Sequence, residues 1–570
     1  MTLPLIRIGQ GRITAGLDQH VRLDLAAHRD IYGPLPWPTA GQLISMCEQV
    51  DLRGRGGAAF PVAIKLQAVW RRQGKRKPVI VVNGTEGEPG SSKDKLLLAR
   101  SPHLVLDGAM IAARALGATQ VIVAVAGRGP HVRSVSDAAA ADSTLRRMVR
   151  VVSVPDRFVS GESGALVNAL SGGPALPPGT KTRATDSGVR GRSTLLSNAE
   201  TFAQLAVLAM LGPAGYATAG DPSEPGTVLL TVGGSVQRPA VVETPTGLPL
   251  GHILDICGAQ PSHGVLVGGY HGKWLTPDIA YDVPVSRLGL QAGGGTLGAG
   301  VVLVLGEDSC PLGEVARVAG YLATQSSGQC GPCKLGLPAV AASLSALSEG
   351  AGGIDELEAV RAATFGVRGR GACHHPDGTA NFVASALDVF AQDLNEHMFR
   401  GGCGRSTLGI LPFHAAGEQR LVVDWTRCQG HGLCGRLLPE LVRLDENGYP
   451  RLLDVPVPFW LSRDAGQAVD MCPALALRLT TEEPERPAAV GGRNSASRRS
   501  PAIAPADQAA LSGRPFSGRP VSGRLVSGRP VSGRPVSGRP ALTGRVSPEA
   551  DLQEATAWIA ELGGRRVSDN

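Results

Sequence analysis

The feature that most restricts the fold of this chain is a cysteine pattern near its C-terminal end. It reads Cys428-Gln-Gly-His-Gly-Leu-Cys434 and is completed by Cys472-Pro473. Thiolates are soft ligands that suit iron, and a short loop rich in glycine lets the backbone wrap closely around iron and sulfide. Zinc ribbons use paired CxxC motifs, which fit this spacing less well. The pattern therefore predicts a small module with one iron–sulfur cluster.

Beyond these cysteines, the segments LDENGYPRLL and AVDMCPALALRL resemble single-cluster bacterial ferredoxins of the three-iron type. The resemblance implies an electron-transfer domain at 419–482 whose cluster is held by Cys428, Cys434 and Cys472. Four-iron relatives have a cysteine where this chain has His431. Two outcomes therefore stay open, a 3Fe-4S cluster on three thiolates or a 4Fe-4S cluster with imidazole on one iron.

Two glycine-rich segments in the N-terminal half point to a bound phosphate. They are LRGRGGAAFPVAIKL at 52–66 and VVNGTEGEPGSSKDK at 81–95. Successive glycines expose backbone N–H groups as a nest for anions, and Arg55 and Lys65 add positive charge. Strand and helix patterns alternate over 46–215. That alternation predicts a parallel sheet covered by helices, with ligands at the carboxyl ends of its strands.

These segments resemble the NADH- and FMN-binding flavoprotein subunit of respiratory complex I, a family also found in NAD-reducing hydrogenases and formate dehydrogenases. RFVSGESGALVNAL at 157–170 and STLLSNAETF at 193–202 match further motifs of the family. The resemblance implies that FMN and NADH bind in this region. The cofactor-binding residues carried over are Gly54, Arg55, Gly56, Gly57, Phe60, Lys65, Asn83, Glu86, Glu88, Gly161, Glu162, Asn198 and Thr201.

The resemblance gives these residues different parts of the cofactors. The glycine loop and its two cations would hold the FMN phosphate and ribityl chain, and Asn83 and Glu86 would lie along the flavin. Phe60 and Glu88 would line the nicotinamide nucleotide pocket, with Phe60 on the adenine side. Several positions depart from the family: Phe158 for Tyr, Ser163 for Glu, Ser197 for Asn and Thr85 for Asp. The phosphate cradle is intact, so FMN binding is better supported than NADH affinity.

A third motif pair, SSGQCGPCKLG at 326–336 and GRGACHHPDG at 369–378, matches the iron–sulfur motif of the same family. The resemblance implies a 4Fe-4S-type cluster on Cys330, Cys333 and Cys373. Cys330 and Cys333 have CxxC spacing at a predicted helix N-terminus, where the helix dipole stabilises thiolates. Ser327 stands where the family has its first cysteine, so the usual set of four thiolates is incomplete.

The fourth ligand of this middle cluster stays open between Ser327 and a neighbouring histidine, His374 or His375. A three-iron or degraded site, or a CxxC turn without a cluster, are the other outcomes. Cys310 would lie about 20 Å away if PLGEVARVAGYLATQ forms one helix that rises about 1.5 Å per residue. That distance argues against Cys310 as a ligand. Because Cys47, Cys257 and Cys310 stand apart from the cysteine clusters in the sequence, they are predicted to be ordinary buried thiols, and Cys403 is left unassigned.

The predicted fold class is a multidomain α/β chain. An N-terminal segment at 1–45 precedes a Rossmann-like FMN/NADH domain at 46–215. The resemblance implies that a ubiquitin-like β-grasp domain of the SLBB kind follows at 222–306. The remaining parts are a helical iron–sulfur bundle at 310–398, a ferredoxin-like α+β domain at 419–482 and a disordered tail at 483–570. The tail contains a five-residue repeat at 511–541, which has too few apolar residues for a core, and a short predicted helix at 547–564.

The net charge of +7 is concentrated in this tail, which has twelve arginines and six acidic residues from position 487 onward. The rest is close to neutral, so no nucleic-acid partner is predicted. The sequence shows no signal peptide and no apolar stretch of about 18 residues. We therefore expect a cytoplasmic protein that is not itself transmembrane, and that can act peripherally at the inner face of a membrane on a membrane-bound partner.

The leading functional hypothesis is an NADH dehydrogenase-type oxidoreductase. NADH would reduce FMN, and the electrons would pass through the middle cluster and then the C-terminal cluster to an unknown acceptor protein. No catalytic acid, base or nucleophile is predicted, because the cofactors supply the chemistry. A non-catalytic electron-relay subunit of a larger redox complex is the alternative. Electron flow in the opposite direction, towards NAD, is also open.

Overall fold

The computed structural model describes residues 3–72, 76–127, 129–179, 182–351, 353–413, 419–439, 441–452, 457 and 461–480. The chain divides into two units, Met1–Pro487 and Ala488–Asn570. The second unit lies outside the described residues, as do the predicted tail at 483–570 and its short helix at 547–564. All elements that follow belong to the first unit.

Three short elements precede the first glycine-rich segment. They are β1 Leu5–Arg7, α1 Leu25–Tyr32 and α2 Ala40–Gln49. Helix α2 begins with a capping box, in which the Thr39 hydroxyl accepts from the Gln42 N–H and the Gln42 side chain accepts from the Thr39 N–H. This box fixes where the helix starts.

The first sheet has four parallel strands, which are β2 Val79–Gly84, β3 Val121–Ala126, β4 Val149–Val154 and β5 Thr194–Asn198. Their order across the sheet is β4–β3–β2–β5. The inner strands read VIVVNG and VIVAVA and are buried along almost their whole length. Such apolar runs are typical of parallel strands with helices on both faces. The parallel sheet predicted from the sequence is confirmed.

The helices of this region are α3 Val62–Arg71, α4 Lys93–Arg100, α5 Pro102–Ala115, α6 Pro130–Ala141, α7 Ser143–Met148, α8 Ser163–Ser171, α9 Ala184–Ser187 and α10 Ala199–Tyr216, with 3₁₀ turns at Phe158–Gly161 and Val189–Gly191. Within the described ranges, no single helix has the length and apolar character needed to cross a membrane. Helices α4 and α5 meet that criterion only as a pair bent by 93°.

The second sheet is mixed and adds β8 Thr227–Gly234, β9 Ala240–Pro245, β10 Ser262–Val267, β11 Lys273–Leu275 and β12 Val301–Gly306 to the N-terminal strand. Its order is β1–β9–β8–β12–β10–β11. A two-stranded ribbon of β6 Gly220–Asp221 and β7 Glu224–Pro225 precedes it, and its helices are α11 Leu250–Cys257, α12 Pro277–Asp282 and α13 Arg287–Ala292. One face packs on α11 through apolar side chains such as Ile253 and Val265.

The N-terminal segment is fastened to this second sheet by one buried carboxylate. Strand β1 pairs in parallel with β9, which carries Glu243. The Glu243 carboxylate accepts hydrogen bonds from the backbone N–H groups of Arg12 at 2.8 Å, Ile13 at 3.0 Å and Thr14 at 3.1 Å. Hydrogen bonds to a charged acceptor are stronger than neutral ones, so this contact holds the loop after β1 in place.

The helical region packs against the other face of the second sheet. It contains α14 Pro311–Gln325, a π-helical turn at Pro332–Gly336, α15 Leu337–Ser348, α16 Gly353–Val367, α17 His375–Val389 and α18 Ala391–Arg400. Large side chains of sheet and helices, including Trp274, Tyr321, Phe382 and Phe390, form one buried core. The core therefore joins the sheet rigidly to the helices that carry the middle cysteines.

The C-terminal module is small and has its own core. Its elements are β13 Arg420–Val423, α19 Leu433–Leu437, β14 Val442–Leu444, β15 Pro450–Leu452, α20 Ser462–Asp470 and β16 Leu477–Thr480. Strands β13 and β16 pair antiparallel, as do β14 and β15. The core includes Val423, Leu438, Ala465 and Leu477, and the three cysteines of the module pack against it.

Candidate functional site

Two asparagines lie side by side at the carboxyl edge of the first sheet. Asn83 at the end of β2 is the register partner of Asn198 at the end of β5. The Asn83 side chain donates to the backbone carbonyl of Gly161 at 2.9 Å and accepts from the Thr85 hydroxyl at 2.7 Å. Asn198 caps α10 by accepting from the Glu200 N–H at 3.0 Å. This is the edge where parallel α/β sheets bind ligands.

The first glycine-rich loop lies directly over this edge. The Arg55 N–H donates to the Thr201 hydroxyl at 2.9 Å, which ties the loop to the first turn of α10. A Cβ atom on Gly56 would come within 3.2 Å of the Asn198 Cβ, and Gly57 has φ +106°. Both positions suit glycine for a physical reason, one a close approach and the other a left-handed backbone. Arg55, Asn198 and Thr201, predicted from separate segments, are brought together.

The loop borders a cleft of about 370 Å³ between the two sheets, lined by residues that include Gly54, Arg55, Gly57 and Lys93. Nε of Arg55 is buried and has no hydrogen-bond partner among the described residues. Lys65 is half-buried; its Nζ donates to the Leu196 carbonyl at 3.3 Å, and burial lowers its pKa. An unsatisfied guanidinium N–H beside a glycine loop is the environment that a phosphate completes. The residues therefore fit the phosphate end of FMN.

A buried network of charged side chains centred on Lys93 lies beneath the cleft. The sequence motifs did not predict it. Lys93 Nζ lies 2.8 Å from the Glu200 carboxylate and 3.2 Å from that of Asp94, and it reaches the Asn198 side chain at 3.3 Å. Burial alone lowers the pKa of Lys93, but the carboxylates of Asp94 and Glu200 outweigh it and raise the pKa above its ordinary value. Lys93 therefore stays charged. The SSKDK string carries this lysine, and only the tertiary fold reveals its partners.

The two predicted glutamates of the second glycine-rich segment have different surroundings. Glu86, at φ +42°, accepts from the Ser91 hydroxyl at 2.6 Å and from the N–H groups of Asp94 at 2.9 Å and Lys95 at 2.8 Å. It therefore caps the N-terminus of α4. Glu88 instead reaches the second sheet, where it accepts from the Tyr270 N–H at 3.0 Å.

Glu88 has an unusual proton affinity because of that position. Its second oxygen, Oε1, is shielded and has no partner within the described residues. Burial raises the pKa of Glu88 to about 8, even though the N–H groups of Tyr270 and Gly90 act in the opposite direction. A carboxyl group with one free oxygen at a domain junction near the cleft is available to a ligand hydroxyl or amide.

The remaining predicted residues of the flavin region lie around the same edge. A Cβ on Gly161 would come within 2.6 Å of the Thr85 hydroxyl, and Glu162 caps α8 by accepting from the Ala165 N–H at 2.8 Å. Phe60 is 43% exposed, and its ring centroid lies 5.9 Å from the Lys65 Nζ. An exposed aromatic ring beside a cleft is free to stack on a planar ligand.

The middle cysteines approach one another where α14 ends and α17 begins. Burial raises the pKa of Cys333 to about 12, with further repulsion from the thiols of Cys330 and Cys373. Burial raises the pKa of the Cys330 thiol, but the backbone N–H groups of Ala372 and Cys333 have the larger effect and hold that pKa below its usual value. Thiols close enough to influence one another, with backbone donors beside them, fit an iron–sulfur cluster.

The structure narrows the choice of a fourth ligand for this cluster. His374 is fully exposed and lies 3.6 Å from Asp377, so it faces solvent. His375 uses both ring nitrogens, one to the Leu322 carbonyl at 2.8 Å and one to His271 at 3.0 Å. Ser327 is buried next to Ser326 in the segment that leads to Cys330, and it stays the candidate for the fourth ligand.

Ser326 is a second serine beside the middle cysteines, and the sequence motifs did not predict a role for it. The Ser326 side chain is buried, and its hydroxyl has no hydrogen bond of normal geometry to any described residue. It lies near enough to the Cys333 thiol to favour the thiolate. Ser326 therefore places a hydroxyl beside the Cys333 thiol.

The prediction that Cys310 is an isolated thiol is wrong. Its Sγ lies 3.4 Å from Nε2 of His397, and Cys403 completes a group whose ligand atoms all lie within 4.8 Å of one another. The predicted isolation of Cys47 and Cys257 within apolar cores agrees with their burial. Sequence spacing does not reveal the group, because its members are separated by up to 93 positions and meet only in the tertiary fold.

The C-terminal cysteines converge on a single pocket of about 390 Å³, which Cys428, Cys434, Cys472 and His431 all line. Burial raises the pKa of Cys434, and the nearby thiols of Cys428 and Cys472 raise it further. The Ala476 N–H points at the Cys472 sulfur at 3.3 Å. Three thiols around an apolar pocket, with a backbone donor to sulfur, fit an iron–sulfur cluster, and His431 is exposed at its rim.

Three family models match separate parts of the chain. Residues 47–207 match the Nuo51 FMN-binding domain, residues 314–397 the NADH-ubiquinone oxidoreductase-F iron–sulfur binding region, and residues 421–479 a 4Fe-4S single cluster domain. The chain joins an FMN-binding domain to two iron–sulfur domains. The first match contains the first glycine-rich loop, the second contains the middle cysteines, and the third contains the C-terminal cysteine pocket.

Relatives of the FMN-binding and middle iron–sulfur domains are similar over most of their own length. The second F subunit of NADH-quinone oxidoreductase in Rhizobium meliloti (strain 1021) is 28% identical over 396 residues, which cover 66% of this chain and 91% of the relative. The F subunit of the same enzyme in Streptomyces coelicolor is 29% identical over 63% of this chain and 84% of its own. The NADP-reducing hydrogenase subunit HndC of Solidesulfovibrio fructosivorans is 25% identical over 70% and 84%.

A solved structure shows the same architecture. The NAD⁺-reducing [NiFe]-hydrogenase in its H₂-reduced state superposes with a TM-score of 0.60 and 26% identity, covering 70% of this chain and 68% of that one. The mixed α/β fold with a parallel sheet is therefore shared with a chain of an NAD⁺-reducing enzyme.

Proposed function

We propose that this chain is an NADH-binding subunit that carries FMN and two iron–sulfur clusters and passes electrons from NADH to an acceptor protein. The family models supply the flavin and cluster domains, and relatives named as F subunits of NADH-quinone oxidoreductase and as NADP-reducing hydrogenase supply the substrate class. The observation that carries the proposal is the unpaired Arg55 Nε beside the glycine loop, in a chain that also brings two sets of cysteines together.

In this proposal the chain's own residues bind and orient the cofactors. The glycine loop, Arg55 and Lys65 hold the FMN phosphate, and Thr201 fixes the loop through the Arg55 N–H. When bound, FMN would supply the chemistry that couples two-electron hydride transfer from NADH to the release of single electrons. Glu88 presents its free oxygen to the nicotinamide nucleotide, and Phe60 offers its exposed ring for stacking. Glu86 supports the site indirectly by fixing the start of α4.

The finer domain assignments belong to the same proposal. The second sheet and α11 correspond to the predicted SLBB β-grasp domain at 222–306, and the paired strands with α19 and α20 to the ferredoxin-like domain at 419–482. A fused ferredoxin domain gives the chain its own outlet for electrons. The predicted cytoplasmic location, the docking to a membrane-bound acceptor and the direction of electron flow stay predictions.

Anaerobic titration of the purified, cluster-loaded chain with NADH tests the proposal. NADH supplies two electrons, and FMN with two one-electron clusters takes four, so about two equivalents of NADH are expected to bleach the flavin absorbance and to produce the EPR signals of reduced clusters. A flavin that bleaches with dithionite but not with NADH would overturn the NADH-linked function and favour the relay subunit. The control is the same chain depleted of flavin. NADH should not reduce its clusters during an identical titration.

The two serines of the middle cluster are assigned different parts. We infer that Ser327, at the position of the family's first cysteine, completes the ligand set, and that Ser326 donates to the Cys333 sulfur. Ser327→Ala should then lower the iron content or change the EPR signal. Ser326→Ala should keep the iron but lower the reduction potential, because a hydrogen bond to sulfur stabilises the reduced cluster. Unchanged iron, signal and potential in both variants would contradict the assignment.

A further inference from the structure

A third group of soft ligands lies outside the flavin and cluster sites. Cys310 is the N-cap residue of α14, His397 lies in the last turn of α18, and Cys403 lies in the link that leads to the C-terminal module. The two Sγ atoms and a ring nitrogen of His397 all lie within 4.8 Å of one another. Cys310 and His397 are almost completely buried, and Cys403 is half-buried.

The spacing of these atoms suits one metal ion. Zinc binds cysteine sulfur at about 2.3 Å and histidine nitrogen at about 2.0–2.1 Å, so a tetrahedral site separates S and N by about 3.6 Å. The observed distance from the Cys310 Sγ to the His397 Nε2 is 3.4 Å. Ligands of a cubane cluster bind different irons and stand farther apart, so the group suits a single ion rather than a third cluster.

The histidine gives an independent sign that a ligand belongs here. Its side chain is 4% exposed, and Nδ1 has no hydrogen bond of normal geometry to any described residue. Nε2 meets the Cys310 sulfur, which is a weak hydrogen-bond partner. The backbone carbonyls of Ser348 and Leu347 lie close enough to the ring to interact with its N–H. A proton held on Nδ1 leaves the Nε2 lone pair, which meets only the Cys310 sulfur, for a metal ion.

The backbone is shaped to deliver Cys403 to this point. Gly401, Gly402 and Gly404 have φ of +78°, +151° and +75°, and these values fold the link back onto α18. The Gly402 N–H donates to the Glu396 carbonyl at 3.3 Å, and the Cys310 N–H donates to the Ser406 carbonyl at 3.0 Å. The turn therefore begins and ends in fixed contacts.

The link stays bound to α14 beyond this turn. The Leu408 N–H donates to the Ser309 hydroxyl at 3.1 Å, and the buried Glu314 carboxylate accepts from the N–H groups of Gly409 at 2.5 Å and Ile410 at 3.0 Å. A metal ion bound by Cys403 would add coordination bonds just after the end of α18, at a point in the chain that precedes these hydrogen bonds.

We propose that Cys310, His397 and Cys403 bind one Zn²⁺ ion that fastens the link between the helical region and the C-terminal module. Two thiolates and a neutral imidazole form a Cys₂His set, which zinc accepts with water in the fourth position. The half-buried Cys403 leaves room for that water. Binding releases the two thiol protons, and no electron transfer is involved.

Metal analysis of the full chain with its flavin and clusters tests the site. We expect about one zinc per chain beyond the iron, and Co²⁺ in place of zinc should give the thiolate charge-transfer and ligand-field bands of a tetrahedral site. Cys403→Ser should remove most of the zinc while iron and flavin contents stay unchanged. Cys257→Ser, which removes another buried thiol, should keep the zinc.

A second readout follows the link itself. Loss of the ion should make the segment at 401–413 more sensitive to limited proteolysis in Cys403→Ser than in Cys257→Ser. Cys434→Ser separates this ion from zinc held in the C-terminal pocket, because it should lower iron and leave the zinc in place. Zinc content that Cys310→Ser and Cys403→Ser both leave unchanged would overturn the proposal, as would a Cys310–Cys403 disulfide in the freshly isolated chain.

Discussion

Arg55 links the glycine loop to the cleft through two different groups. Its backbone N–H binds Thr201, and its guanidinium keeps one buried N–H unpaired among the described residues. We predict that Arg55→Gln weakens FMN binding, because a hydrogen bond to a charged group contributes about 1.5–3 kcal/mol. The dissociation constant should rise by about 10- to 150-fold. Titration of the flavin-free chain with FMN, followed by quenching of flavin fluorescence, measures this change.

Arg53→Gln is the matched control for this experiment. Arg53 lies two positions away and pairs with Asp51 at 2.8 Å rather than facing the cleft. Replacing Arg53 should change the FMN dissociation constant by no more than about twofold, because its guanidinium is paired with Asp51. The loss of this partly exposed ion pair should also cost little stability, about 0–1 kcal/mol. Equal effects of the two substitutions would show that overall charge, and not the cleft geometry, governs binding.

Glu88 should make the stability of the protein depend on pH. Its pKa of about 8 lies above the usual value of 4.5, so the folded chain holds a proton that the unfolded chain releases. The cost of Glu88 to folding is therefore absent below about pH 4.5, grows as the pH rises towards 8, and then stays constant. Glu88→Gln removes the titration and keeps an acceptor for the Tyr270 N–H.

We predict that Glu88→Gln and the unaltered chain have similar melting temperatures near pH 5. The variant should become the more stable of the two as the pH approaches 8. Thermal unfolding of both flavin-loaded proteins, followed by circular dichroism over pH 5 to 9, measures the difference. Melting curves that remain parallel across this range would mean that the carboxyl group titrates normally.

Residues of this site differ in how far the sequence could predict them. Arg55 and the cysteines at 428, 434 and 472 stand in local motifs, where spacing alone places the atoms near one another. The helix-capping contacts of Glu86 depend on a left-handed turn at φ +42° that directs its carboxylate to α4. The contact between Cys310 and Cys403 needs the whole helical region to fold first. Motifs therefore predict local chemistry, whereas the partners of buried charges and thiols follow from tertiary packing.

At the scale of elements, α5 and α10 are held close by one glycine. A Cβ atom on Gly108 would overlap the backbone carbonyl of Phe202. We predict that Gly108→Ala forces the helices apart and lowers the free energy of unfolding by about 1–3 kcal/mol or more. Chemical denaturation followed by circular dichroism measures this loss.

Gly366 in α16 provides the control for this substitution. A Cβ there would meet no atom within 4 Å, and the residue lies inside a helix. Gly366→Ala should therefore stabilise the chain by about 0.5–1 kcal/mol, since alanine restricts the unfolded backbone. A loss of stability in both variants would mean that close packing at Gly108 is not the cause.

At the scale of the whole molecule, the three cofactor domains should be separable by function. Cys434→Ser removes one thiolate from the C-terminal pocket, whose core is distinct from the flavin domain. We predict that the variant loses the iron of that cluster and still shows bleaching of its flavin by NADH. Reduction of a one-electron acceptor protein should fall sharply, because the electron outlet is missing.

Iron analysis, stopped-flow absorbance and acceptor reduction together measure this separation. Cys257→Ser, which alters a buried thiol of the second sheet, should behave as the unaltered chain in all three assays. Acceptor reduction that survives in Cys434→Ser would mean that electrons leave from the middle cluster, and that the C-terminal domain has another role.

The contact between the N-terminal loop and Glu243 also affects how the chain is made. Ile13 and Glu243 are 230 positions apart, so the ribosome releases the loop long before its acceptor exists. At about 5–20 residues per second, the delay is on the order of 10–50 s. During that time the apolar residues of the N-terminal segment are exposed to chaperones and proteases. Strand β1 therefore waits for a partner, β9, that is made more than 200 residues later, and slowing translation between Ile13 and Glu243 should lower the yield of intact protein.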